Sequence, residues 1–259
     1  FFVLFAILAV RTAFIDGAVE GYKYLFIPKW SALKNVETWV FALGQAFFSL
    51  SLAGSGTVVY GSYLKDSEDV IDSAKYVVVF DFIAAMLAAL VIIPSVFAYG
   101  MDPAAGPPLM FITLPSVFKQ MPLGRLFSIV FFIAVFFAAI TSLMNLLETP
   151  IETLQNKFNL SRKVSVGIIV GLVAIVGTFI QNADMVGTWM DVLSIYIIPL
   201  GALLAGVTFY WVCGKGFARE KIQMGRDKEI GSWFEPMINL FVVLTFVVYI
   251  LGIAFGGIG

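Results

Sequence analysis

Apolar residues run through this chain in long uninterrupted blocks. Six of them, near Thr38–Tyr63, Tyr76–Gly100, Leu123–Phe158, Val164–Ile180, Met190–Cys213 and Trp233–Phe255, predict membrane-spanning helices, because a helix needs roughly 17–25 apolar residues to cross a hydrocarbon core. The Leu123–Phe158 block is over-long for one crossing, so it must tilt or project beyond the bilayer. A seventh block, FFVLFAILAV (Phe1–Val10), is too short to span. It has neither a cationic leader nor a small-residue cleavage site, so it does not read as a signal peptide. It is expected to be the second half of a helix that starts upstream, within a longer protein. Residues 13–37 and the proline-rich stretch 101–122 are expected to be loops on one side of the membrane. Residues 214–232 are expected to be a loop on the other side.

Charge sets the orientation. One set of alternate loops carries Lys65, Lys75, Lys157, Arg162, Lys163, Lys215, Arg219, Lys221, Arg226 and Lys228. The other carries Arg11, Lys23, Lys29, Lys34, Lys119 and Arg125. The positive-inside rule puts the richer set in the cytoplasm. Composition agrees with a membrane protein: 259 residues, 60% hydrophobic and 13% charged, against roughly 25% charged in soluble domains. A net charge of −1 gives no nucleic-acid footprint. With no histidine and one cysteine, Cys213, the chain carries no disulfide framework and no His/Cys zinc site. The sequon at Asn159 falls on the cytoplasmic side and is read as chance.

Polar residues inside the spans are the informative ones. In FFSLSLAGSGTVVYGSYL (Phe47–Leu64) the hydroxyls of Ser49 and Ser51 precede Gly54, Ser55 and Gly56. Small residues can serve close helix packing. Clustered at one depth, they predict instead a helix break near residues 53–56, whose freed backbone groups must face a ligand cavity because lipid cannot bond them. GSGT lacks the spacing and lysine of a phosphate loop. Asp81 sits in VVVFDFIAAM, and no Lys or Arg lies inside another full span to pair with it. A bound inorganic cation is the economical partner. Ala138, Thr141 and Ser142 stand at i, i+3 and i+4. Their hydroxyls either bond back to the previous turn or, with the Ala138 carbonyl, offer hard oxygens to a small cation. Glu148 and Glu152 fit a watery vestibule or the membrane boundary. Asp184 reads as a solvated loop charge. Asp191 lies about one helical turn into the membrane, and the residues alone leave open whether it closes a gate with an arginine outside.

Four stretches carry a resemblance: GQAFFSLSLAGSGTVVYGSY (Gly44–Tyr63), FFAAITSLMNLLE (Phe136–Glu148), FNLSRK (Phe158–Lys163) and IIPLGALL (Ile197–Leu204). Together and in order, they resemble the neurotransmitter:sodium symporter family. The resemblance implies an all-α polytopic membrane protein with a leucine-transporter-like inverted-repeat fold. The chain would hold the end of transmembrane helix 5 (1–12), helix 6 (38–63), helix 7 (76–100), extracellular loop 4 (101–122), helix 8 (123–158), helix 9 (164–180), helix 10 (190–213) and helix 11 (233–255), and would lack roughly the first four and a half helices. It implies a plasma membrane location, the inner membrane of a bacterium. The partners it implies are the lipid bilayer, an amino-acid substrate and the missing N-terminal helices of the same protein.

The resemblance also implies site roles. Two sodium sites are expected, each incomplete in this segment: Ser49 and Asp81 for the first, and Ala138, Thr141 and Ser142 for the second. Substrate would be lined by Phe48, Ser49, Ser51, Ala53, Gly54, Ser142 and Leu146. The gate positions are Gln45, Phe48 and Asp191. Relatives carry asparagine at the Asp81 position, and animal members need chloride nearby. A fixed carboxylate there would replace that charge, so chloride independence is expected. Relatives have bulk at the Gly54 position, and its loss leans the substrate towards a large apolar or aromatic amino acid. The implied activity is sodium-coupled symport by alternating access, with no covalent chemistry. A non-transporting sensor or scaffold on the same fold and a channel are the rivals. A channel would need a continuous polar stripe, whereas these polar groups cluster at one depth.

Overall fold

A computed structural model describes residues 2–52, 55–103, 111, 114–120, 122–214 and 216–255. Every regular element among them is helical. In order they are α1 (Phe2–Ala13), α2 (Ala18–Phe26), a 3-10 turn (Trp30–Lys34), α3 (Val36–Ser49), α4 (Ser55–Ser62), α5 (Val70–Ala98), α6 (Leu114–Gln120), α7 (Gly124–Phe158), α8 (Arg162–Phe179), α9 (Ala183–Val192), α10 (Ile198–Val207), α11 (Phe217–Gln223) and α12 (Phe234–Phe255). Five helical stretches are long and apolar enough to cross a membrane: Val70–Ala98, Gly124–Phe158, Arg162–Phe179, Met185–Val212 and Phe234–Ala254.

Three local features depart from the expected pattern. The 13–37 segment, expected as a loop, contains α2 and the 3-10 turn, and the 101–122 segment contains α6. The apolar block 38–63 is not one helix. Helix α3 ends at Ser49, residues 50–52 are turns, and α4 begins at Ser55; residues 53–54, where the break was expected to begin, lie outside the described residues, while Ser55 and Gly56 belong to α4. The Met185–Val212 stretch carries two π-helical turns, Leu193–Ile197 and Thr208–Val212, on either side of α10. Pro199 lies in the first turn of α10. It cannot donate to the Ile195 carbonyl and its ring crowds the turn before it, which favours widening to the i→i+5 pattern there.

The chain forms two compact units, Phe1–Trp30 with Val79–Leu143, and Ser31–Val78 with Met144–Gly259. In the first, Phe5, Leu8, Val91, Leu114, Phe118, Phe131 and Ala134 form a buried cluster. Phe131 is its hub, with ring centroids 5.7 Å from Phe5 and 5.4 Å from Phe118. Helix α2 packs closely on α5: a Cβ on Gly21 would stand 2.5 Å from the Pro94 Cα. Gly21→Ala should therefore destabilise the full-length protein by about 1–3 kcal/mol, because backbone rather than a movable side chain must yield. A thermal-unfolding midpoint equal to wild type would contradict this contact.

In the second unit, α12 packs on α3 and α10. Phe47 and Tyr210 approach Phe241, with centroids 5.9 and 6.4 Å away, over buried Val40, Ala202 and Val242. A smaller cluster of Ala218, Ile230 and Phe234 anchors α11 to the start of α12.

Candidate functional site

The interruption between α3 and α4 is built from short-range hydrogen bonds. Helix α3 ends at Ser49, where the Leu50 N–H still bonds the Ala46 carbonyl at 3.1 Å. The Ser51 N–H then reaches Phe48 O, and the Leu52 N–H reaches Phe47 O, each at 3.1 Å. Ser51 takes φ +52°, a left-handed conformation that a side chain disfavours. Its carbonyl is met from the other side of the break by the Thr57 hydroxyl at 2.9 Å. This bond restores one partner that the helix lost, which apolar surroundings demand. Sequence reading missed the role of Thr57. The signal for it was a hydroxyl immediately after the second glycine, Gly56.

Gln45, Phe48 and Ser49 lie at i, i+3 and i+4 on α3, so they share one face that ends at the break. Phe48 and Ser51 are exposed, and Ser49 is half-buried. Ala53 and Gly54, expected to line the substrate, lie outside the described residues, as does the side chain of Asp191, expected at a gate.

Asp81, in the middle of α5, is half-buried. On α7, the Thr141 hydroxyl stands 2.9 Å from the Ala138 carbonyl and 3.1 Å from that of Phe137. It carries one proton, so these bonds are shared. The back-bond anticipated for a helical threonine is present, yet the hydroxyl lone pairs remain available to a cation. Thr141 and Ser142 are both exposed. The oxygen-only donor set on this face suits a small hard cation. Among the described residues, no group of three or more His, Cys, Asp or Glu is placed to hold a metal ion. Asp81, Ala138, Thr141 and Ser142 belong to the first unit. Gln45, Phe48, Ser49, Ser51 and Leu146 belong to the second.

The second unit also holds a polar cluster that the sequence did not disclose. Glu148 is buried, at 8% exposure. Both of its oxygens accept from the Arg162 fork, at 2.8 and 2.9 Å. The Tyr63 hydroxyl, just beyond α4, lies 3.0 Å from Glu148 Oε1 and 3.1 Å from Glu152 Oε2. Glu152 also accepts from Gln155 and Asn156. A watery vestibule therefore does not account for Glu148, which is buried and paired. One phenolic proton serves two carboxylates, so Tyr63 can bond strongly to only one of them at a time. The pairing depends on the tight α7–α8 turn, where Asn159 takes φ +51°, a conformation asparagine tolerates better than most residues. The turn brings Arg162 back alongside Glu148, fourteen residues earlier.

Nearby, an apolar cleft of about 630 Å³ is lined by Leu52 and Val58, on either side of the break, and by Ala205, Phe209, Tyr210 and Phe241. Its walls suit hydrocarbon rather than an ion, so the polar chemistry near the break lies with the side chains of Ser49 and Ser51.

Comparison with known proteins identifies the frame that these features share. A profile of the sodium:neurotransmitter symporter family matches residues 1–255. The chain is 38% identical over 215 residues to the uncharacterized sodium-dependent transporter YhdH of Bacillus subtilis, which covers 78% of this chain and 48% of that protein. It is 30% identical over 267 residues to an uncharacterized sodium-dependent transporter of Methanocaldococcus jannaschii, covering 96% of this chain and 54% of that protein. The chain thus spans about half the length of these relatives. The fold is similar to the crystal structure of MhsT in complex with L-phenylalanine, with a TM-score of 0.81 at 28% identity over 96% of this chain and 60% of that one. The all-α polytopic, leucine-transporter-like fold expected from the sequence is the one found. The helices are those of a multi-pass membrane protein from a family of transporters, and sodium use goes with that family. This chain belongs to the sodium:neurotransmitter symporter family.

Proposed function

We propose that the full-length protein carries an amino acid across the membrane by sodium-coupled symport with alternating access. The observation that carries this reading is the interrupted helix. Past Ser49, residues 50–52 leave the helical ladder, and Ser51 presents its carbonyl in a left-handed turn bridged by Thr57. Irregular backbone at membrane depth is tolerated where it lines a polar cavity. Ser49 and Asp81 would hold the first sodium beside the substrate carboxylate. Ala138, Thr141 and Ser142 would hold the second. Phe48, Ser49, Ser51, Ser142 and Leu146, with Ala53 and Gly54, would line the amino acid. Gln45, Phe48 and Asp191 would form the outer gate. The MhsT complex with L-phenylalanine supports an amino-acid substrate, and glycine at position 54 leans it towards a large apolar or aromatic one.

Sodium supplies the work. Each positive charge moved inward gains about 2.3 kcal/mol per 100 mV of membrane potential. Coupling that step to substrate movement concentrates the amino acid inside. The chain's own residues bind, orient and gate, and they break no covalent bond.

The test is uptake of labelled aromatic and aliphatic amino acids into liposomes holding the full-length protein. Uptake should require an inward sodium gradient and should persist when gluconate replaces chloride. Substrate binding without gradient-driven uptake would favour a sensor or scaffold and overturn the carrier reading. Loss of uptake in gluconate would overturn the chloride-independence claim alone.

A further inference from the structure

Two connections of the second unit are tied together by an ion pair that the proposed sodium and substrate sites do not use. Asp69 precedes α5, and its Oδ1 accepts the N–H groups of Ile71 at 3.0 Å and Asp72 at 3.1 Å, as a helix N-cap does. Arg226 lies between α11 and α12. One of its terminal nitrogens stands 2.8 Å from both Asp69 oxygens. The two side chains are only 11% and 25% exposed. Exposed pairs such as Lys75–Asp72, with both partners more than half exposed, contribute little. A charge-assisted bond sheltered to this degree contributes more.

The neighbouring backbone supplies a second, independent observation. Gly225 has φ +72°, and a Cβ there would lie 2.5 Å from the Glu68 carbonyl oxygen and 2.7 Å from the Ser67 carbonyl carbon. Only glycine allows this approach. The receiving corner is itself braced. The Gln223 amide donates to the carbonyls of Arg226 and Lys228 and accepts the Ile230 N–H at 2.9 Å. Arg219 forks onto Glu235 with 2.6 Å bonds and reaches the Ile230 and Gly231 carbonyls.

We propose that the Gly225–Arg226 corner is a latch for the 63–69 connection, which holds α4 in the arrangement seen here and releases it when α4 moves in the transport cycle. The proposal rests on the alternating-access reading. Helix α4 has eight residues and follows a break, so it cannot hold its own position. It is fixed beyond its C-terminal end at Tyr63 and, six residues later, at Asp69. Burial opposes ionisation of Asp69, but the Asp72 N–H and the Arg226 guanidinium outweigh it and hold the carboxyl below its ordinary value. The latch is therefore charged throughout the physiological pH range.

The experiment uses the full-length protein in nanodiscs, with a cysteine introduced by Ser62→Cys in a background free of other reactive thiols. Labelling by a membrane-impermeant maleimide is measured with and without sodium. Amide hydrogen exchange of the 63–69 peptide is followed in parallel. Arg226→Ala should speed labelling in sodium by about three- to tenfold, towards the sodium-free rate, and should speed exchange. Gly225→Ala keeps both charges but forces the backbones apart, so it should do the same. Arg226→Lys should recover part of the wild-type rate. Wild-type labelling and exchange in both alanine variants would overturn the latch. Faster exchange with unchanged labelling would reduce it to a static brace, which also overturns the proposal. Labelling of the wild type that ignores sodium would instead overturn the alternating-access reading on which the latch depends.

Discussion

Replacing Asp81 by alanine is expected to raise the sodium concentration for half-maximal substrate binding by about ten- to hundredfold in the full-length protein. The expectation follows from the role proposed for this carboxylate. Asp81 sits within VVVFDFIAAM near the middle of α5, where an ionised side chain is retained only with a compensating charge or polar partners. A charge-assisted contact to a cation contributes about 1.5–3 kcal/mol net, and about 1.4 kcal/mol corresponds to tenfold in affinity. Asp81→Asn separates the two properties of the carboxylate. It keeps an oxygen of similar position and removes the charge. Sodium binding should recover to within a few-fold of wild type, and transport should acquire a chloride requirement that the wild type lacks. Sodium titration of substrate binding, by scintillation proximity or calorimetry, reads the first effect. Uptake in gluconate against chloride reads the second. Wild-type sodium affinity in Asp81→Ala would remove Asp81 from the first sodium site.

The second large effect is expected at Glu148. Its carboxylate receives both arms of Arg162 and lies within reach of Tyr63. Glu148→Ala leaves the guanidinium without its fork partner and leaves Tyr63 with Glu152 alone. Arg162 is 58% exposed in its side chain, so water recovers part of the loss, whereas the Glu148 side chain is only 11% exposed. A cost of about 1–3 kcal/mol follows, below that of a fully buried pair. Glu148→Gln should cost less, since an amide oxygen still accepts from Tyr63 or Arg162. Arg162→Ala should cost at least as much as Glu148→Gln, because it strands a sheltered carboxylate. The Glu148→Ala, Arg162→Ala double variant should cost less than the sum of the single variants, as expected for residues that share one interaction. Thermal unfolding of the full-length protein in a single detergent checks all four. Strict additivity of the two alanine variants would show that the pair seen here does not form in the membrane.

These two sites differ in how far the sequence disclosed them. Asp81 stood out as a candidate because a carboxylate in an apolar run is costly wherever the chain goes, and that cost can be read without coordinates. Glu148 stood in the same kind of run, yet its partner did not show. Arg162 lies across a turn, and Tyr63 is eighty-five residues away, so proximity depends on how helices pack. The latch residues were less visible still. Asp69, Gly225 and Arg226 look like ordinary loop residues, and only the approach of two backbones gives them a role. The interrupted helix falls between these cases. Ser49, Ser51 and the paired glycines marked the region of the break. Its start at Ser49 follows from the turn bonds of residues 50–52 and the hydroxyl of Thr57, which composition does not encode.

The sequence by itself determined that the chain crosses a membrane as helices, and the four motif stretches determined its family. Both are local properties: transfer of apolar side chains from water sets the spans, and short runs of residues carry the likeness. Tertiary structure decided that Glu148 is buried rather than solvated, that Thr57 closes the break, and that the 63–69 connection docks on the Gly225–Arg226 corner. The Thr57 bond spans only six residues; the other two depend on contacts between segments brought together across turns or from far along the chain. Such contacts form only when packing brings two backbones close enough for a charge or a carbonyl to find its partner away from water.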